Sequence, residues 1–301
     1  MKLYKMPKQL EFKLPKSNPY SIETDDDFIR LPALVVCSGK RHSGKTLSVV
    51  NYVREMKEKH YCDKCLVITP TYASNKNTWD IATIDEDDVL EPSKNVLKEI
   101  KNIINQEKAE WDNFNGKREK YREYQKMVKK QYLNIDDKDL LKDLMNYEEM
   151  GFFESPPKWK YRKEVPPKLT LVIDDCMGTD IMLPSSGLTK FTIAHRHWGE
   201  GLGITVFMLV QSYTAGASQG LARAIREQTT QLWLFKIAQE NQLKKIFEES
   251  DLEINYEKFI ELCNDVHATP YNFLMIDFNS KFPEKKYRNG FKEFIKITEI
   301  N

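Results

Sequence analysis

Residues 33–46 read ALVVCSGKRHSGKT and decide how the rest of the chain is interpreted. The first six form a nearly continuous apolar run, which is typical of a parallel strand covered on both faces. The next eight fit the pattern G-x-x-x-x-G-K-[ST], and helical periodicity follows them. A glycine-rich turn between a buried strand and a helix lets successive backbone N–H groups point at one anion. The stretch therefore predicts a loop that binds the phosphates of a nucleotide.

The chemistry of this loop predicts a site for Mg·ATP. Lys45 is expected to hold the β and γ phosphates, and the hydroxyl of Thr46 is expected to bind Mg²⁺. The predicted nucleotide-binding residues form one continuous run: Gly39, Lys40, Arg41, His42, Ser43, Gly44, Lys45 and Thr46. The alternative is a chance glycine loop without a ligand, which its position between a strand and a helix disfavours.

The pattern outside the loop indicates an α/β fold. Further strands are predicted at 66–69, 169–174, 204–210, 232–235 and 271–276. Helices are predicted at 45–57, 219–227 and 240–248. Strands that alternate with helices predict a mainly parallel sheet with helices on both faces. We therefore expect a P-loop NTPase of the RecA-like (ASCE) type.

The chain divides into an arm, a core and an insertion. Residues 1–30 are polar and interrupted by proline, so we expect an extended arm. Residues 31–84 and 168–301 form the predicted ATPase core. Residues 85–167 are densely charged, lack strand signals and show helical spacing, with a break expected at Asn115-Gly116. One interpretation of this insertion is a helical hairpin with a solvated outer face. The other is a functional element: a lid, a subunit contact or a DNA-facing arm.

Two carboxylates follow the strand predicted at 169–174. Asp174 ends that strand, and Asp175 is the next residue. In ATPases a carboxylate at a strand tip holds the magnesium shell, and an acidic neighbour orients and deprotonates water. We predict these roles for Asp174 and Asp175 respectively. The alternative is that both residues cap a turn, since Asp is common where strands end.

A polar sensor and an arginine complete the predicted catalytic set. Gln211 directly follows the run 204–210 and is the candidate that senses the γ phosphate, unless its amide only pairs with backbone. Transition-state charge also favours an arginine, often from a neighbouring subunit. Arg223 and Arg226 are the candidates, and Arg226 is preferred. The alternative is that Arg226 is an ordinary surface arginine. Together with Asp175, Gln211 and Arg226 form the predicted catalytic set.

With these residues placed, the chain resembles the viral genome-packaging ATPases of the FtsK/HerA superfamily, of the poxvirus, giant-virus and virophage type. The likeness rests on GKRHSGKT, LTLVIDDC, HRHWGEGLGITVFMLVQS and LARAIREQTTQLWLFK, which cover the chain from about Leu31 to Ile237. The resemblance implies that Lys45 and Thr46 bind nucleotide and Mg²⁺, that Gln211 is the sensor and that Arg226 is the finger. Many superfamily members have Glu where this chain has Asp175.

The resemblance also implies partners. Such proteins act as ring oligomers, here expected to be pentamers or hexamers, that move double-stranded DNA into a preformed capsid with a capsid or portal-vertex protein. The implied location is the host cytoplasm, in a viral factory, and the virion. The alternatives are a terminase-like or other DNA-translocating ATPase, and a non-catalytic assembly protein that nucleotide stabilises. A terminase carries a nuclease domain, for which the residues after Ile237 leave little room.

Composition limits the other possibilities. The 301 residues are 41% hydrophobic and 30% charged with a formal net charge of +1, so a nucleic-acid partner must be met by local basic patches. Three basic segments contain aromatic residues: 117–130, 158–163 and 281–292. No apolar run is long enough to span a membrane, and the five scattered cysteines and the N-terminus favour an intracellular compartment. The spacing of Cys62 and Cys65 leaves metal binding open, with Cys263 and His267 as a distant second half.

Overall fold

The N-terminal arm lies mostly outside the part of the chain that the structure describes. The computed structural model describes residues 20, 22–25, 28–129, 138–214, 220–237, 239–250, 252–280 and 282–297, and the side chains at 129 and 138–141 are not included. Of the arm predicted over 1–30, residues 1–19, 21 and 26–27 therefore lie outside. The described part of the arm pairs with the core through a single antiparallel bridge between Ile22 and Leu31.

One mixed sheet organises the described residues. Its nine strands are β1 Leu34–Ser38, β2 Lys64–Ile68, β3 Val89–Leu90, β4 Leu169–Ile173, β5 Thr205–Val210, β6 Gln231–Phe235, β7 Phe273–Asp277, β8 Tyr287–Asn289 and β9 Glu293–Phe294. Their spatial order is β3-β2-β4-β5-β1-β6-β7-β8-β9. The first six of this order pair in parallel, and β7, β8 and β9 are antiparallel. The carboxyl ends of the six parallel strands consequently share one edge.

Helices cover both faces of this sheet, which confirms the predicted α/β class. Those of the described residues are α1 Lys45–Glu58, α2 Tyr72–Trp79, α3 Val96–Lys129, α4 Lys138–Glu149, α5 Leu188–Ile193, α6 Arg223–Glu227, α7 Glu240–Glu249 and α8 Tyr256–His267. Strand β1 shows how the faces divide. Leu34 and Val36 pack in one apolar cluster with α3, α5 and α8, while Val35 and Cys37 pack in another with α1. The apolar run of β1 is continuous because both of its faces are buried.

The expectation of a break at Asn115-Gly116 is wrong. Helix α3 continues through both residues for 34 residues in total. Gly116 is half-buried, and a Cβ atom there would meet nothing within 4 Å, so the glycine costs only its intrinsic helix propensity of about 1 kcal/mol. Tertiary packing at either end of the helix outweighs a local cost of that size.

The segment 85–167 also contains part of the sheet, although no strand was predicted there. Strand β3 pairs in parallel with β2 through Val67↔Val89 and Ile68↔Leu90. The first turns of α3 then bury Val96, Ile100 and Ile104 in the same cluster as β4. The start of α3 is therefore a crossover helix that leads from one parallel strand to the next.

The distal part of α3 is covered by aromatic packing rather than by the sheet. The ring of Trp159 lies 5.1 Å from that of Phe114, and the ring of Tyr121 lies 5.3 Å from that of Phe152. Lys160 reaches back to α3, with its Nζ 2.7 Å from a carboxylate oxygen of Glu107. These contacts fix the segment that follows α4 against α3. We call α3, α4 and this segment the helical arm.

Candidate functional site

The loop 39–46 lies where β1 ends and α1 begins. Gly39 is required there because a Cβ atom on it would lie 2.5 Å from the Cβ atom of Phe235. Gly44 has φ +95° and precedes the first residue of α1, which is a backbone conformation that favours glycine. His42 also adopts positive φ, at 60°. The two glycines thus allow the close approach and the reversal that bring the start of the helix to the sheet edge.

Lys45 is the buried cation of this loop. Its side chain is only 9% exposed, and its Nζ donates to the carbonyl oxygens of Gly39 at 2.8 Å and Lys40 at 2.9 Å. Burial lowers the pKa of Lys45, and the carboxylate of Asp174 opposes that shift. A triphosphate would compete with the two carbonyl groups for this ammonium, because an anionic phosphate oxygen attracts a cation more strongly than a neutral carbonyl oxygen does.

Thr46 and Asp174 meet across the sheet edge. The hydroxyl of Thr46 donates to Oδ2 of Asp174 at 2.8 Å. Asp174 follows β4 and is buried, and this burial raises its pKa while the Thr46 hydrogen bond lowers it. Mg²⁺ prefers oxygen ligands and is commonly bound by one or two carboxylates together with substrate phosphates. This hydroxyl and carboxylate pair fits that ion.

Asp175 and Gln211 form a second pair beside the first. The side-chain Nε2 of Gln211 donates to Oδ1 of Asp175 at 3.2 Å. Gln211 follows β5, and β5 lies between β1 and β4 in the sheet. Asp175 has φ 52°, a left-handed conformation that Asp adopts more readily than most residues. This turn directs consecutive carboxylates of Asp174 and Asp175 to two different neighbours.

A cavity of about 560 Å³ joins these groups. Its wall includes most of the residues predicted from sequence: Arg41, His42, Ser43, Gly44, Lys45, Thr46, Asp174, Asp175 and Gln211. Gly39 and Lys40 do not line it, although their carbonyl groups hold Lys45. Its volume is within the range that ligand sites occupy, roughly 300 to 1,000 Å³.

The cavity has two further walls that the sequence analysis missed. One is polar and comes from α2 and the residue before it, and comprises Thr71, Ser74, Asn75 and Thr78. The sequence could have indicated Thr71, because this residue comes shortly after a buried strand. The carboxyl end of that strand lies at the same edge of the sheet as the cavity. The other wall contains Tyr271, and its position depends on the antiparallel pairing of β7, which no local pattern indicated. Leu47 of α1 is half exposed and also lines the cavity.

Arg226 is not among the residues that line the cavity. Its guanidinium makes two hydrogen bonds to the carboxylate of Glu249, from Nε at 2.6 Å and from Nη2 at 2.8 Å. The guanidinium also lies 5.6 Å from the ring centre of Tyr213. Arg223, one turn earlier, is 78% exposed and pairs with Glu227 on its own helix. The structure thus gives Arg226 a partner on α7 and leaves Arg223 at the surface.

The cysteines show no assembled metal site. Cys62 and Cys65 are buried on the α1 face of the sheet, whereas Cys263 is buried on the opposite face. His267 is engaged with the carbonyl oxygen of Leu234 at 2.8 Å. Over the described residues, no group of three or more His, Cys, Asp or Glu side chains could hold a metal ion.

The fold is similar to that of several solved structures. The genome packaging NTPase B204 from Sulfolobus turreted icosahedral virus 2, in complex with ATP-gammaS, is 15% identical with a TM-score of 0.40, covering 83% of this chain and 94% of that one. EssC (ATPases 2 and 3) from Geobacillus thermodenitrificans is 9% identical with a TM-score of 0.44, covering 82% of this chain and 38% of that one. No protein-family model and no curated protein matches the chain. Among the described helices, none is long and apolar enough to cross a membrane.

Proposed function

We propose that this protein is an ATP-hydrolysing motor that translocates double-stranded viral DNA into a preformed capsid. The observation that carries the proposal is the convergence of Lys45, Thr46, Asp174, Asp175 and Gln211 on one cavity at the carboxyl edge of the parallel strands. Ligands of α/β proteins bind at this edge of the sheet. Each of the five side chains matches one requirement of phosphoryl transfer to water.

The proposed reaction assigns one task to each group. Lys45 leaves the loop carbonyls to pair with the β and γ phosphates. Asp175 accepts a proton from the attacking water as the γ phosphate is released, and the amide of Gln211 orients that water. Thr46 and Asp174 would hold Mg²⁺, which supplies charge neutralisation at the phosphates when it is bound. The products are ADP and inorganic phosphate.

The proposed DNA contacts are electrostatic. Most aromatic rings in the predicted basic segments pack against other rings of the protein: Trp159 lies 5.1 Å from Phe114 of α3, and Phe291, although 47% exposed, lies 5.2 Å from Tyr52. Stacking on bases is therefore not their main use. The cations Lys158, Arg162 and Lys163 are exposed beside the helical arm and are suited to phosphate contacts that ignore base sequence. Lys130 and Lys281 of these segments lie outside the described residues.

The proposed working form is a homo-oligomeric ring, a pentamer or hexamer, that docks on a capsid or portal-vertex protein. Each active site would be completed by an arginine from the next subunit. Of the two candidates, Arg223 has the exposure that such a role needs, whereas Arg226 would first have to leave Glu249. The proposed location is the host cytoplasm and the virion.

A steady-state ATPase assay with and without long duplex DNA tests the proposal. Wild-type protein should hydrolyse ATP faster with DNA, and Lys45→Ala and Asp175→Asn should each abolish turnover in both conditions. Asp180→Asn is a matched control, because Asp180 is an exposed carboxylate five residues further on that does not line the cavity. Equal and negligible turnover in all assembled samples would contradict an enzymatic function and favour a nucleotide-stabilised assembly protein.

A further inference from the structure

The cavity contains an aromatic side chain to which the reaction above gives no role. Tyr271 lies between α8 and β7 and is 72% exposed, although its ring lines the cavity. Strand β7 is antiparallel to β6, so its first residue, Phe273, pairs with Phe235 at the carboxyl edge of the parallel strands. This pairing brings Tyr271 beside the phosphate-binding loop: a Cβ atom on Gly44 would lie 3.3 Å from the Cβ atom of Tyr271.

The backbone at Tyr271 is held in an unfavourable conformation. The strand predicted from 271 begins at Phe273 instead, and Tyr271 has φ 62°. Positive φ is uncommon for a bulky residue, and residues held in such conformations cluster at ligand sites. Nearby aromatic residues pack on each other, as Phe235 and Phe273 do at 4.7 Å, yet within the described part of the chain no aromatic ring is paired with that of Tyr271. Packing therefore does not account for its placement.

We infer that Tyr271 stacks on the nucleobase of the bound nucleoside triphosphate and favours a purine. This inference rests on the proposed function, because the loop must first fix the phosphates at Lys45 and Thr46. The base must then lie against another wall of the same cavity. The α2 wall offers hydroxyl and amide groups, whereas Tyr271 is the only Phe, Tyr or Trp among the described residues that line the cavity. A flat ring with an open face suits a base, and a purine offers more stacking area than a pyrimidine.

The test compares a complete nucleotide with its phosphates alone. Titration calorimetry with the full-length chain measures Kd for ATP and for tripolyphosphate in wild type, Tyr271→Ala and Tyr271→Phe. We expect Tyr271→Ala to weaken ATP binding about 10-fold, since a base stacked on an aromatic residue contributes about this much. Tripolyphosphate affinity should not change, and Tyr271→Phe should bind ATP as wild type does. The preference of wild type for ATP over CTP should decrease in Tyr271→Ala.

Controls separate this inference from the function on which it rests. Phe153→Ala removes another exposed ring, 50% exposed on the helical arm, and should change neither affinity. Unchanged ATP affinity in Tyr271→Ala, or equal weakening of ATP and tripolyphosphate, would overturn the role in base recognition while leaving the phosphate site intact. Failure of wild type to bind either ligand, with no effect of Lys45→Ala, would overturn both. Thermal melts of each variant establish that the protein has folded.

Discussion

At the scale of single residues, the pair of Asp175 and Gln211 is the most informative part of the site. Their hydrogen bond of 3.2 Å joins the turn after β4 to the end of β5. Because Gln211 is exposed and lines the cavity, we propose that it contributes to the reaction rather than to the fold. An amide that donates to the general base can also hold the water which that base deprotonates.

Replacement of Gln211 by Ala should therefore reduce catalysis and spare stability. We expect single-turnover ATP hydrolysis to slow about 100-fold, as when one preorganised donor is removed from an active site. ATP affinity and the free energy of unfolding should stay at wild-type values. Gln106→Ala, which removes an exposed amide on α3, is the matched control. A loss of ATP affinity at an unchanged rate would show that Gln211 binds the ground state instead.

His195 should make stability depend on pH. Its ring is buried, and its Nδ1 has no hydrogen-bond partner among the residues that the structure describes. This burial, with Arg196 and His197 nearby, lowers the pKa of His195 to about 4 from 6.5. Between these values the unfolded chain binds a proton that the folded chain does not, so stability falls as pH decreases from about 6.5 to about 4. The expected loss is about 3 kcal/mol of unfolding free energy.

Urea unfolding at pH 7.5 and pH 4.5 measures this loss of unfolding free energy, and comparison with a variant assigns it to His195. His195→Gln removes the titration, so the difference in unfolding free energy between wild type and variant should shift by about 2 to 3 kcal/mol between the two conditions. His197→Gln, at an exposed neighbouring position, should keep most of the wild-type pH dependence, because burial is the main cause of the lowered pKa of His195. An identical pH dependence in wild type and His195→Gln would mean that the folded protein accommodates a charged His195.

At the scale of elements, the pair of Arg226 and Glu249 ties α6 to α7. The Arg226 side chain is 11% exposed, and the two charge-assisted bonds are short. We expect Arg226→Ala to lower the free energy of unfolding by about 2 kcal/mol, because charged hydrogen bonds are lost and Glu249 is left partly buried without its cation. Arg226→Lys should restore only part of it, since Lys cannot make the bidentate contact.

Arg223→Ala is the matched control for this prediction, because Arg223 lies on the same helix with an exposed partner. Its effect on urea unfolding should stay within about 0.5 kcal/mol. Equal stability of Arg226→Ala and wild type would show that the pair contributes nothing net, and Arg226 would then be available for another role.

Elements with a strong local pattern were predictable from the sequence. The strands β1, β4 and β5 were predicted from apolar runs, because a strand that is buried on both faces has few polar positions. Helix α1 was predicted because it directly follows the phosphate-binding loop. Strands β8 and β9 have three and two residues, too few for a pattern, and they form because β7 offers an open edge. Helix α8 was missed although its residues Phe259, Leu262 and Val266 have helical spacing.

The site divides in the same way. The placement of residues 41–46, Asp174 and Asp175 at the cavity was predictable because each segment follows a buried strand, and that of Gln211 was predictable because β5 ends there. The engagement of Arg226 could not be found, since its partner Glu249 lies 23 residues later and belongs to another helix. Tyr271 reaches the cavity through the antiparallel turn of the sheet, which is a tertiary feature.

At the scale of the whole molecule, the proposed ring requires that one subunit complete the site of the next. In the proposed site, the described chain supplies the groups that would bind phosphate, metal and water, but neither Arg223 nor Arg226 lines the cavity. Arg41 lines it from within the loop. If an arginine acts between subunits, two inactive variants can complement each other in one ring. A chain without a phosphate site can then supply its arginine to a neighbour that has the site but lacks the arginine.

Mixing two inactive variants tests this prediction. Lys45→Ala lacks a functional phosphate site but keeps Arg223, and Arg223→Ala keeps the site but lacks that arginine. Each alone should show negligible DNA-stimulated turnover. An equal mixture, combined before assembly, should recover about one quarter of wild-type activity, since one interface in four then pairs an intact site with an intact arginine in a head-to-tail ring. The same mixture with Arg226→Ala identifies which arginine acts between subunits. Without recovery in either mixture, the arginine acts within one subunit or is not needed, and the head-to-tail active site is wrong.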